Sequence, residues 1–251
     1  MNVRAAICLC AVLLCSVTLA PAVALAQGRP GSSEPTGDRA FARFIALIRG
    51  HLLTGDELVQ RRQWNTAYPH FAFPTEEIYG VIRDELGAYG TPPFDVSLKA
   101  LARTVRTRSA TQYPKALEKV EAALAAADAS LKSRQQDWPR FNVMVAVEVL
   151  RTAAEEYEDA VVNGRIVHPI GYRTARGFVL QAGRMIEASA ADLTVGNAAA
   201  LDDVRAGLSR LADIFAAIDP PKNSAMDSAT VSDIVAQVAT AAGNIKPRTK
   251  S

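Results

Sequence analysis

Apolar residues recur at steps of three and four along most of this chain, and no stretch alternates apolar with polar residues over the length of a strand. That periodicity predicts amphipathic α-helices. The fullest run starts at Phe141, where Val143, Val147, Leu150, Ala154, Tyr157 and Val161 share a face until Asn163-Gly164 stops the helix and turns the chain back. The loop RIVHPIG then leads into a helix with Ala175, Phe178, Ala182, Met185 and Ser189 on one side. A further helix, capped by Asn197, carries Leu201, Val204, Leu208, Leu211, Phe215 and Ile218 as far as Pro220-Pro221, and a last one runs from about Thr230 to Gly243.

Upstream, Asp38 is placed to cap a helix running to about Gln60 with Phe41, Phe44, Ile45, Ile48 and Leu52 inward. Gly50 and Gly55 either weaken it or let another backbone come close. A short helix from Trp64 to Phe71 follows, then one with Pro74 in its first turn and Ile78, Ile82, Leu86 and Tyr89 as its stripe. On that wheel Glu85 falls near the buried centre and needs a partner. Asp95 and Thr111 are placed to cap two more helices, the second with Tyr113, Leu117, Val120, Leu124, Ala127 and Leu131 at the spacing of a bundle seam, before Trp138-Pro139 breaks the pattern. Long amphipathic helices joined by short loops predict an all-α fold, an elongated up-and-down antiparallel bundle over residues 38–243. A tetratricopeptide array is disfavoured, because no 34-residue period recurs.

The first 26 residues read differently. Arg4, an apolar run from Ala5 to Ala20, and Ala24-Leu25-Ala26 before Gln27 have the form of a signal peptide cleaved after Ala26. A polar tether is expected over 27–37 and a disordered tail over 244–251. Cys8, Cys10 and Cys15 all lie in the leader, so the mature chain has no disulfide, thiolate ligand or cysteine nucleophile. An Ala-rich, cysteine-free exported chain suits a bacterial periplasm, with no membrane span expected after cleavage. Without Arg4 the balance is 27 basic against 26 acidic residues, a net +1 that steers toward no nucleic acid.

Chemistry is sparse. No phosphate loop, GxSxG elbow or HExxH occurs, and nothing local nominates a nucleophile, so no catalytic residue and no enzyme activity are expected. Helical bundles do build metal sites from inward carboxylates and histidines, and oxidised iron accepts oxygen ligands without cysteine. The candidate ligands are His51, His70, Glu77 and Glu158. His70 stands just ahead of the acidic first turn at Glu76 and Glu77, although a histidine among Tyr68, Phe71 and Phe73 also suits a core. Glu158 lies at the edge of the apolar face, where its alternative role is to pair with Arg173 or Arg176. Glu148, Arg151 and Glu155 have the spacing of a solvated ion-pair ladder. His168, in a proline-containing loop, reads as a surface residue. Trp64, Trp138, Tyr68, Tyr79 and Tyr89 read as core and core-edge aromatics more readily than as anchors for a partner.

Two blocks carry a family likeness. EEYEDAVVNGRIVHPIGYRTARGF, residues 155–178, resembles a segment of the periplasmic N-terminal domain of bacterial high-affinity iron permeases. AYPHFAFPTEEIYGVIRDEL, residues 67–86, resembles the helix-turn-helix of that domain and of imelysin-like periplasmic proteins. Together they cover about 45 of the 251 residues. The resemblance implies a periplasmic helical bundle concerned with iron or another metal. Two departures narrow it: the HxxE pattern of imelysin-like proteins is absent, and so are the permease's transmembrane segments with their glutamate-containing motif. The expectation is a non-enzymatic, exported bundle that binds a metal ion or assists its uptake; the alternative is an envelope scaffold that binds another protein without metal.

Overall fold

The computed structural model describes residues 37–221 and 226–247. The expected leader (1–26) and all of the tether except Gly37 lie outside the described residues, as do the last four residues of the tail. The described chain runs through α1 (Asp38–Gln60), α2 (Trp64–Phe73), a π-helical turn (Pro74–Ile78), α3 (Tyr79–Ile82) and a 3-10 segment (Arg83–Tyr89). It continues through α4 (Asp95–Arg106), α5 (Tyr113–Arg134), α6 (Trp138–Ala160), β1 (Val161–Val162), β2 (Arg165–Ile166), α7 (Pro169–Leu193), α8 (Ala198–Ile214) and α9 (Ser228–Gly243).

Helices α6 to α9 form an up-and-down bundle, as the periodicity predicts, and side-chain bonds fix each direction. Asn142, early in α6, donates to the Met185 carbonyl and to Ser189 late in α7. Arg205 of α8 pairs with Glu187 of α7, while Tyr172, early in α7, donates to the Ala217 carbonyl beyond α8. Tyr157, late in α6, donates to the Met226 carbonyl before α9, and Arg140, early in α6, donates to the Ile245 carbonyl after it. Helix α1 lies antiparallel to α7, with Thr54 donating to the Arg173 carbonyl. Because α1, α7 and α9 all pack on α6, its burial extends past the predicted stripe to Val145, Ala146, Val149 and Ala153.

The α1–α7 crossing settles the two readings of Gly50. A Cβ there would collide with the Phe178 ring, and one on Gly177 would collide with the Gly50 carbonyl and Thr54 Oγ1. The glycines therefore let two backbones meet. Gly55 does the same for the Phe71 ring of α2.

Several local expectations are corrected. Trp138-Pro139 follows the end of α5 and leads into the next helix as expected, but α6 starts at Trp138 and not at Phe141: Asp137 caps the helix by accepting from Arg140 N, and Pro139 sits in the first turn, where its missing N–H costs nothing. Asn163-Gly164 does more than stop a helix. Both residues are left-handed (φ 51° and 72°), and they close a two-residue hairpin with Val161 opposite Ile166 and Val162 opposite Arg165. Asn-Gly is the preferred dipeptide for that turn. Glu85 is exposed and not central, because residues 83–89 wind as a 3-10 helix, whose tighter turn rotates Glu85 out while Leu86 and Tyr89 stay in. Asp95 is the first helical residue of α4 and not its cap, and α5 starts at Tyr113 with Gln112 as its cap residue. Asn197 precedes α8, but its side chain accepts from Lys246 N. With Ile245 buried at 1 % exposure, the chain is held two residues past the expected start of the tail.

Candidate functional site

The two histidines that the sequence singles out come together. His51 projects from α1 and His70 from α2, with ring centroids 5.7 Å apart and an interplanar angle of 41°. His51 is 4 % exposed and His70 fully buried. Phe178 of α7 and Phe73 stand edge-on to His51 at 5.2 and 6.0 Å. Gly50 and Gly55, flanking His51 on α1, admit Phe178 and Phe71 so closely that no water layer separates these helices. His51 Nδ1 and both ring nitrogens of His70 have no hydrogen-bond partner, and neither does Nε of Arg173, whose charge acts on His70. Burial pushes the His51 imidazole down to about 3. His70 is lowered well below the ordinary histidine range by burial first, then by His51 and by the Arg173 guanidinium. Both rings are therefore neutral at pH 7.

The carboxylate candidates do not join them in a three-donor group. Glu77 is exposed on the π-helical turn and Glu158 is half-buried on α6. Arg173, proposed as a partner for Glu158, pairs with Asp219 at 3.2 Å, and Arg176 pairs with Glu57 at 2.7 Å while its Nε donates to the Phe215 carbonyl. Among the described residues no three His, Cys, Asp or Glu side chains gather as a metal would require. His168 is exposed, and Glu148 pairs with Arg151 at 2.8 Å as the ladder predicts. Tyr79 and Tyr89 are buried, and Trp64, Tyr68 and Trp138 pack at the core's edge.

Glu156 is the acidic residue with the strongest perturbation, and the sequence pattern passed over it. Its carboxyl is pushed up to about 7, by burial first and then by repulsion from Asp159, Glu77 and Glu155. At about 100° per residue it lies roughly 200° round α6 from Ala154, so a single-stripe wheel assigns it to solvent. The available signal was Gly171: a Cβ there would stand 3.2 Å from the Glu156 carbonyl, so α7 passes closely over this turn.

Fold and site define an all-helical bundle with a buried, neutral histidine pair and a self-repelling carboxylate group. No described helix is long and apolar enough to cross a membrane. Residues 132–248 match the family model of the iron permease-associated 4-helix bundle domain. The matched segment takes in the last turn of α5 and the whole of α6 to α9, in agreement with the likeness read from residues 155–178. The other block, residues 67–86, falls outside the matched segment, as do His51 and His70. No curated protein and no solved structure matches the chain.

Proposed function

We propose that this protein is a non-enzymatic accessory of iron uptake, exported to the periplasm and working beside a permease. The observation that carries the reading is the match of α6 to α9 to an iron permease-associated bundle. The Glu156 group, three of whose carboxylates (Glu155, Glu156 and Asp159) lie in that segment while Glu77 precedes it, supports the reading: carboxylates are oxygen donors of the kind hard iron accepts, and a cation passing over them would relieve their repulsion. The corresponding test is affinity purification of the tagged full chain from detergent-solubilised envelopes of iron-starved cells. Recovery of an iron permease at near-equal amount supports the proposal; its absence under conditions that preserve other envelope complexes overturns it.

A second reading, a scaffold that meets its partner without holding metal, is favoured by the absence of a three-donor group among the described residues. Calorimetric titration with ferric and ferrous ions separates the two. Binding tighter than about millimolar, weakened by Glu156→Gln and Glu77→Gln, supports iron handling by the bundle. Weaker binding amounts to only about 4 kcal/mol, within reach of scattered surface carboxylates, and leaves the scaffold.

A further inference from the structure

A neutral imidazole carries one donor and one acceptor nitrogen, and each buried group left unpaired costs about 1–3 kcal/mol. The junction of α1, α2 and α7 leaves three such nitrogens unpaired on two adjacent rings. Leucine or phenylalanine in these positions would fill an aromatic junction without that penalty. Buried polar groups without protein partners commonly serve a water or an ion.

We propose that His51 and His70 form a two-imidazole binding site for a soft monovalent metal ion of the copper(I) class. The spacing suits it. With metal–nitrogen distances of about 2.0 Å, two imidazoles on one ion place their ring centroids about 5–6.5 Å apart, and these stand at 5.7 Å. His70 is fully buried, so a ligand held there is screened from bulk water, and Phe73 and Phe178 wall the His51 side. The π-helical turn at Pro74–Ile78 follows directly on α2, four residues from His70, and such turns concentrate at functional sites.

Charge selects the ion. No carboxylate or further histidine joins the pair among the described residues, so nothing neutralises a bound cation, and the Arg173 guanidinium lies on the His70 side. The penalty for burying an ion rises steeply with its charge, which disfavours divalent zinc and ferrous ions and excludes ferric iron, whose preference is for oxygen donors in any case. A monovalent ion content with two nitrogen donors meets the smallest penalty. This site does not depend on the permease reading: both histidines precede the matched segment, and its test makes no use of iron uptake.

The experiment is an anaerobic titration of the full-length protein with copper(I) against a chromogenic copper(I) chelator. A parallel titration uses silver(I), a redox-inert ion of the same charge, followed through the imidazole nitrogen resonances. One equivalent should bind, with nitrogen shifts at His51 and His70 and none at the exposed His168. Loss of an outer-shell partner already weakens metal sites 10–100-fold, so removing a ligand by His51→Phe or His70→Phe should weaken binding by more than about 100-fold. Should either variant fail to fold, the resonances of the unaltered protein decide alone. No binding against the chelator, shifts confined to His168, or tighter binding of zinc than of copper(I) overturns the proposal; unmoved His51 and His70 resonances mean that the pair holds only water.

Discussion

Helix α7 contains a matched pair of tests for the backbone contact that joins α1 to the bundle. Gly177 and Gly183 both lie within this helix, where alanine is intrinsically better than glycine by about 1 kcal/mol. At Gly183 a Cβ meets nothing within 4 Å, so Gly183→Ala should stabilise the protein by about that amount. At Gly177 the same methyl group collides with the Gly50 carbonyl and Thr54 Oγ1, and the carbonyl cannot rotate away. The helices must separate. That loosens the Thr54 bond to the Arg173 carbonyl, worth about 1 kcal/mol, and adds an overpacking penalty of about 1–3 kcal/mol. After the gain in helix propensity, Gly177→Ala should destabilise by about 1–3 kcal/mol, so that the two variants differ by about 2–4 kcal/mol with opposite signs. Urea denaturation followed by far-ultraviolet circular dichroism measures this from midpoints at unchanged slope. A Gly177→Ala protein as stable as Gly183→Ala would refute the close crossing, and with it the arrangement that presses His51 against Phe178.

Other consequences concern charge. Glu156, with its carboxyl raised to about 7, favours the folded state below the ordinary glutamate range and loses that advantage as pH rises through about 7. Glu156→Gln should therefore stabilise the protein at pH 8 by about 2–3 kcal/mol and change little at pH 4, as denaturation at the two pH values will show. His51 acts in the other direction. Its folded-state value near 3 lies below the unfolded 6.5, so stability is full above pH 6.5 and falls as pH drops through the window below it, by about 2 kcal/mol at pH 5 for the metal-free protein. In His51→Gln, thermal melts should lose that share of the acid sensitivity. Arg176, 8 % exposed and bonded to Glu57 and to the Phe215 carbonyl, should cost about 1–3 kcal/mol on replacement by alanine, because the truncation strands the Phe215 carbonyl and leaves Glu57 with Arg61 as its remaining partner. Chemical denaturation of Arg176→Ala checks the figure.

The all-helical bundle was legible because its signal is periodic and repeated. Tyr157 of α6, Tyr172 of α7 and Phe215 just past α8 meet in one aromatic cluster at ring separations of 5.2 to 6.4 Å. What failed were features that depend on a change of helical pitch or on a second buried face. Glu85 was misplaced because a wheel assumes 3.6 residues per turn through a segment that winds with three. Glu156 escaped notice because α6 is covered on more than one side, which a single-stripe reading cannot foresee. The hairpin at Asn163-Gly164 carried its usual dipeptide, but strands of two residues are too short to show alternation. For the histidines the sequence supplied the residues and not their meeting. His51 and His70 are 19 positions apart on different helices, and only the packing of α2 on α1 at Gly55 and Phe71 joins them. Glu77 and Glu158, nominated by the same reasoning, complete no three-donor group with that pair among the described residues.

An accessory role in iron uptake can be measured as radioactive iron uptake in iron-starved cells that lack this chain, with and without its restoration. High-affinity uptake should fall in its absence, recover with the intact protein, and recover less well with a Glu156→Gln, Glu77→Gln form that folds normally. Uptake that is the same with and without the protein would contradict that role.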